Sequence, residues 1–270
     1  MRTAKDFHIF DVHHHAGQVL GFASTATHTD AKPTTMEDDI ATRVSFMEKH
    51  GIDQAMIMPG SGASNLGPAN DYVAKYRAAD PAHFPAAVGS VNPLDGAAAV
   101  AELNRCIDVL GMNGMVWHHR FCGMVINHPT MIPLLDRIKH YKVPAFVHII
   151  ADSMLESPWR LQKLADAYPD TTFVALDGFS SPNHVAWMFY IAEKTPNIVF
   201  DTGVMMSLHH QLDEFVEQAG ADRLLLGTDA YAEPHFHTAF PINELLASHI
   251  SDENLRKVFS GNLKRLLKLA

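Results

Sequence analysis

The sequence predicts an α/β protein folded as a single, distorted (β/α)8 TIM barrel spanning residues 1–270. Three observations carry that expectation. Short apolar runs rich in Val, Ile and Phe recur eight times along the chain. Segments with helical periodicity lie between them. After the first unit the runs return every 25–31 residues or so, roughly the spacing of a repeated supersecondary unit. Continuous apolar strands alternating with helices imply a parallel sheet covered by helices, and eight such units favour closure into a barrel over an open sheet.

The runs are "HIFDVH" near 8, "QAMIMPG" near 54, "PAAVGSV" near 85 and "GMVWHH" near 114, then "PAFVHII" near 144, "TFVALDG" near 172, "NIVFDTG" near 197 and "RLLLGTD" near 223. Helical patterns between them include "MEDDIATRVSFMEKHG", "AAAVAELNRCIDVLG" and "IPLLDRIKHYK", with Gly51 and Gly111 at positions suited to helix C-caps. The C-terminal "LRKVFSGNLKRLLKLA" reads as a closing helix. Ser251 suits its cap, Asp252 and Glu253 its first turn, and Lys264, Arg265 and Lys268 its end. A Gly-rich turn, "PGSGASNLG", is a weak phosphate cradle because Asn65 stands where a third glycine belongs.

Composition narrows the partners. A length of 270 residues with 47% apolar content buries a sizeable core, and a net charge of −9 argues against a nucleic-acid surface. Only Cys106 and Cys122 are present, the "MRTAKDFHIF" start lacks the apolar core of a signal peptide, and no run is long enough to span a membrane. The expectation is a soluble, cytoplasmic protein acting on a small molecule, with no nucleic-acid or membrane partner. Dimers are common among such barrels, so a homodimer stays open, although no residue argues for one. The compositional anomaly is 18 histidines.

In a barrel of this kind the chemistry gathers at the C-terminal ends of the strands. The first run ends in "DVHHHAG": strict alternation puts Asp11, His13 and His15 on one face and Val12 and His14 on the other. The fourth run ends in His118, His119 and Arg120, the fifth in His148, the sixth in Asp177, the seventh in Asp201 and the eighth in Asp229. Charged groups closing buried apolar strands are costly unless paired or metal-bound. A lone His148 reads as a hydrogen-bonded core histidine, a lone Asp229 as a helix N-cap and Asp201 as a backbone pin. Together, however, His13, His15, His148 and Asp229 supply a mixed nitrogen and oxygen set suited to one divalent ion: Zn²⁺ first, with Mn²⁺ or Co²⁺ as alternatives.

These motifs also carry a resemblance. "DVHHHAG", "VPAFVHI", "RLLLGTDAY" and "GNLKRLL" are similar to the amidohydrolase superfamily, in particular the amidohydrolase-related branch with the aminocarboxymuconate-semialdehyde decarboxylase-like enzymes. The resemblance implies that His13, His15, His148 and Asp229 hold one metal and that Asp229 handles the proton of its water. It also marks a departure. Members carry a histidine at the end of strand six, an acid/base group in the decarboxylases, where this chain has Asp177 in "FVALDGFSS". Asp177 is then a further oxygen ligand, a partner orienting His148, or a base. Trp117 and His118 stand where binuclear members have a bridging lysine, which favours a single ion.

The reaction expected is hydrolysis of an ester, lactone or amide of a small, carboxylated or cyclic substrate by a metal-activated water, with Asp229 and Asp177 catalytic. Arg120 could clamp a carboxylate, with His118 and His119 beside it. His235 and His237 could add donors, and Phe22, Trp159 and Trp187 an apolar wall. The alternative is a metal-dependent decarboxylase or hydratase of an unsaturated acid, favoured by Arg120 and opposed by Asp177. A metal carrier without turnover is the third reading. No GxSxG motif supports a serine hydrolase.

Overall fold

A computed structural model describes residues 2–17, 35–60, 66–204, 209–231 and 239–269. Strands and helices alternate along it: β1 Phe10–Ala16, α1 Met36–His50, β2 Gln54–Pro59, α2 Leu66–Ala79, β3 Ala86–Ala87, α3 Ala97–Asp108, β4 Met115–Trp117 and α4 Ile132–Tyr141. They continue with β5 Ala145–His148, α5 Pro158–Ala167, β6 Phe173–Leu176, α6 Pro182–Lys194, β7 Ile198–Asp201, α7 His209–Ala219 and β8 Leu224–Leu225. Three helices close the chain: α8 Phe240–Ala247, α9 Asp252–Arg256 and α10 Asn262–Leu267.

All strand pairs are parallel, in a three-stranded sheet β1-β2-β3 and a five-stranded sheet β4-β5-β6-β7-β8. Single bridges join the two, Gly89 to Met115 and His14 to Ala230. At the second seam the Val12 amide donates to the Leu226 carbonyl at 3.0 Å and the His15 amide to the Ala230 carbonyl at 2.7 Å. The result is a (β/α)8 barrel distorted at two seams. Each of the predicted apolar runs holds a strand, although β3 and β8 contribute only two residues each to the ladder.

Local chemistry explains the helices. The Thr35 hydroxyl caps α1 by accepting from the Asp38 amide at 3.1 Å, Glu37, Asp38 and Asp39 occupy its first turn, and Gly51 ends it at φ 72°. Ser251 caps α9 as expected. The closing helix is not continuous, because a π-helical stretch, Lys257–Gly261, separates α9 from α10. That segment buries Val258 and Phe259, and α10 sends Leu263 and Leu267 against the barrel interior. The Asn262 side chain donates to the carbonyls of Ala221 and Leu224 at the start of β8, which fixes α10 across the N-terminal end of the barrel.

The interior is lined by Phe10, Val12, Met56, Met58, Val88, Val116, Phe146, Val174, Leu176 and Leu225, and a larger apolar layer lies between strands and helices. Period-two alternation therefore aims His148, two residues beyond Phe146, inward. β1 departs from it. Its register shifts between Asp11 and His14, a bulge that inserts one extra residue. Val12 and His13 both face inward as a result, while Asp11 and His14 share the outer side. The predicted grouping of Asp11 with His13 and His15 is thus corrected. Among the described residues no helix is long and apolar enough to cross a membrane.

Candidate active site

At the mouth of the barrel the imidazoles of His13 and His15 from β1 and His148 from β5 converge. Their Nε2 atoms lie 3.0 Å (His13 to His15) and 3.2 Å (His13 to His148) apart. Each ring is held from behind through Nδ1: His13 by the Asp201 carboxylate at 2.8 Å, His15 by the Pro59 carbonyl at 2.8 Å and His148 by the Trp117 carbonyl at 3.2 Å. A carbonyl only accepts, so Nδ1 carries the proton and Nε2 a lone pair. The converging Nε2 atoms need a proton or a cation between them. Asp229 completes the convergence, with Oδ1 3.1 Å from His13 Nε2 and 3.4 Å from His15 Nε2. Ligand atoms of His13, His15 and His148 all lie within 4.8 Å of one another. A donor set of this kind fits a divalent ion.

Electrostatics point the same way. Burial alone would depress the His13 pKa, yet Asp229, Asp201 and Asp177 outweigh it and raise it to about 10. His15 and His148 are pushed below the ordinary histidine range, first by burial and also by the neighbouring imidazoles. The surrounding carboxylates thus favour a positive charge at His13.

The two carboxylates that close β6 and β8 reach the mouth by an unusual backbone. Alternation after Leu176 would send Asp177 outward, but Asp177 and Asp229 both adopt left-handed conformations, φ 67° and 55°. Asp201 Oδ1 accepts from the Asp177 amide at 2.7 Å and holds that turn. One buried carboxylate on β7 thus pins a backbone amide and orients a histidine. Asp177 stands 3.8 Å from His13 Nδ1, and its Oδ1 is buried without a hydrogen-bond partner. It does not orient His148, whose partner is the Trp117 carbonyl. Burial and the charges of Asp229, Asp201 and Glu156 raise its pKa well above the ordinary carboxylate range, against the pull of His13. Asp229 moves the other way: His13, His15 and His118 overcome its burial and lower its pKa. Gly203 sits where a Cβ would come within 2.7 Å of His13 Nδ1 and 2.8 Å of Asp177 Oδ1, so the turn after β7 needs glycine.

Of the expected substrate contacts, His118 joins the cluster. Its ring stacks parallel on His148, with centroids 4.1 Å apart. Arg120 is exposed and lies over Phe121, its guanidinium carbon 5.1 Å from the ring centre. His119 is buried with neither ring nitrogen hydrogen-bonded. Trp187 packs on the outer core and Trp159 carries Arg160 and Lys163 over its ring, so neither touches the cluster. Phe22, His235 and His237 lie outside the described residues, as does most of the Gly-rich turn after β2.

Two residues escaped the sequence reading. Glu156, on the turn after β5, is fully buried and accepts from His118 Nδ1 at 2.6 Å. Tyr231, two residues beyond Asp229, stacks on His15 at 4.7 Å. Glu156 lies in "DSMLES", a polar loop with no periodicity to single it out.

The family model described as amidohydrolase matches residues 10–269. The chain belongs to the amidohydrolase family. No curated protein matches it in sequence, but solved structures share its fold. A dihydroxybenzoic acid decarboxylase from Polaromonas sp. JS666, with bound manganese and the inhibitor 2-nitroresorcinol, is 18% identical with a TM-score of 0.75, covering 97% of both chains. A 5-carboxyvanillate decarboxylase from Sphingomonas paucimobilis is 15% identical, covers 98% of this chain and 100% of its own, and has a TM-score of 0.74. A 2,6-dihydroxybenzoate decarboxylase from Rhizobium is 18% identical, covers 97% and 99%, and has a TM-score of 0.71. The chain is an amidohydrolase-family enzyme on a TIM barrel, and at these identities the likeness to the solved structures is one of fold.

Proposed function

We propose that this amidohydrolase-family protein is a metal-dependent decarboxylase of a small carboxylic acid. The observation that carries the reading is the pair of carboxyl groups at the mouth, Asp229 against the histidines and Asp177 with a buried, unpartnered Oδ1, shifted in opposite directions. The pKa of Asp229 is lowered by His13, His15 and His118, and that of Asp177 is raised by burial and by its acidic neighbours. Decarboxylation needs both. A divalent ion at His13, His15, His148 and Asp229 would fix an oxygen of the acid and draw electron density away from the breaking bond. Loss of CO2 breaks the carbon–carboxylate bond and leaves its electron pair on carbon. That carbon takes the proton of the Asp177 carboxyl, and the resulting carboxylate regains a proton from solvent. Asp177 lies 3.8 Å from His13 Nδ1, and one of its carboxylate oxygens is within 4.8 Å of ligand atoms of both His13 and Asp229.

Hydrolysis, the reading the sequence favoured, rests on Asp229 as base for a water. Two considerations turn the balance: a buried carboxyl group whose pKa is raised beside the histidine cluster, and a fold shared with decarboxylases. Asp177 thus takes the role that the missing strand-six histidine left open. The ion is divalent, and the imidazole–carboxylate set accommodates manganese as well as zinc.

The test is a screen of hydroxybenzoates and unsaturated acids in deuterated buffer, on manganese- and zinc-loaded protein, followed for CO2 and for deuterium in the product. One deuterium per CO2 is expected. Asp177→Asn should lower kcat about a hundredfold or more while the acid still binds. Turnover of esters or lactones with no CO2 from any acid would sink the reading.

A further inference from the structure

Glu156 is an unexpected group to find at zero exposure on a loop. Buried carboxylates persist where they are hydrogen-bonded to a purpose. Its Oε1 accepts from His118 Nδ1 at 2.6 Å and from the Arg120 amide at 2.9 Å, and its Oε2 lies 3.8 Å from Arg120 Nε. Two residues of the segment after β4 are therefore tied to one carboxylate on the turn after β5. His118 has a second constraint, sandwiched by ring contacts. It stacks on His148 with an interplanar angle of 4° and meets Phe121 edge-on at 4.5 Å. Its plane and rotation are both fixed.

The tie sets what His118 can offer. With its Nδ1 proton committed to Glu156, the free nitrogen is Nε2, which presents a lone pair. His118 keeps 9% side-chain exposure and Nε2 has no partner among the described residues. An acceptor fixed beside the metal-ligand cluster is informative: it meets a donor on the substrate or remains unpaired on binding, which costs free energy.

We propose that Glu156 and His118 form a substrate-reading pair, in which Glu156 is the positioning residue and His118 Nε2 accepts a hydrogen bond from a hydroxyl or amino group borne by the acid. The inference rests on the carboxylic-acid reading above and narrows it. The site selects acids that carry a donor and discriminates against the same acid without one.

Direct binding tests it without turnover. Titration calorimetry of the manganese-loaded enzyme with benzoate and with 2-, 3- and 4-hydroxybenzoate measures the preference for a hydroxyl. Wild type should bind at least one hydroxybenzoate about tenfold more tightly than benzoate, the value of one well-made hydrogen bond. Glu156→Gln retains an acceptor for His118 and should keep the preference. Glu156→Leu frees the ring, and His118→Phe keeps the stack but removes the nitrogens. Both should bring the affinities to within about twofold of each other. If His118→Phe does not fold, the Gln and Leu variants at 156 decide alone. A preference that survives in His118→Phe or in Glu156→Leu belongs to the metal and overturns the pair, as does equal wild-type affinity for all four acids. Binding of none of the acids would instead overturn the carboxylic-acid reading beneath it.

Discussion

Three consecutive histidines on one strand are buried to the same degree, yet they meet opposite fates on the two sides of β1. Inside the mouth, His13 and His15 donate through Nδ1 and turn their Nε2 atoms toward one another, His148 and Asp229. Outside, His14 uses the other tautomer. Its Nδ1 accepts from Arg43 at 3.3 Å and its Nε2 donates to Asp11 at 3.1 Å. Arg43 is itself fully buried and donates to the carbonyls of His15 and Ala230. Asp11 also receives the His13 and Thr228 amides and the Thr228 hydroxyl. The outer histidine is satisfied by protein alone. The inner ones converge through Nε2 on one another, on His148 and on Asp229, a set of donor atoms the outer side does not assemble.

The largest effect should come from breaking the inner side. His13→Ala/His15→Ala should lower metal content from about one equivalent to none by elemental analysis. Activity should fall by at least about a thousandfold, because several kcal/mol of transition-state stabilisation leaves with the ion. Retention of a full equivalent by the double variant would refute the convergence argument.

Asp201→Asn sharpens the comparison at one atom. Asp201 supplies two acceptors, one to His13 Nδ1 and one to the Asp177 amide. Asparagine has a single oxygen, so its amide group must face one of these donors. Facing His13, it drives the ring proton to Nε2 and blocks ligation; facing Asp177, it loosens the left-handed turn. Metal affinity should weaken about 10–100-fold with little change in the fold's circular dichroism. Wild-type affinity in this variant would show that His13 needs no such orientation.

The outer side predicts the reverse pattern. His14→Phe removes an acceptor from buried Arg43 and a donor to Asp11, which should cost about 1–2 kcal/mol in denaturant unfolding. Metal content should stay at the wild-type level. Loss of the ion together with stability would mean that the two sides of β1 act as one unit.

What the sequence allowed to be read follows the same division. Apolar runs located all the strands, because parallel strands buried on both faces cannot hide their composition. His148 followed from plain alternation after Phe146. Asp11 did not, since a bulge is set by pairing with β2 and β8 and leaves no mark in the residue pattern. Asp177 and Asp229 were visible as polar strand ends, but their left-handed backbone was not, and alternation alone would have turned Asp177 away. Glu156 was invisible because its role depends on His118, 38 residues earlier in the chain, and only the fold brings the two together.

The smallest effect concerns a histidine that belongs to neither side. His119 is buried with no partner on either nitrogen, and burial first, then the charge of His118, lowers its pKa to about 3. The unfolded chain titrates near 6.5, so above that pH both states are neutral and His119 contributes no pH dependence. Below it the unfolded chain takes up a proton that the folded one refuses, and stability falls until the pH reaches about 3. By one unit below 6.5 the loss from this residue is about 1.4 kcal/mol. His119→Phe should flatten the acid limb by that amount, measured as the difference in unfolding free energy between pH 7.5 and 5.5, with little change at neutral pH because no hydrogen bond is lost. An unchanged acid limb would mean that His119 opens to solvent or finds a partner when protonated, and that burial without partners is not what distinguishes it from His14.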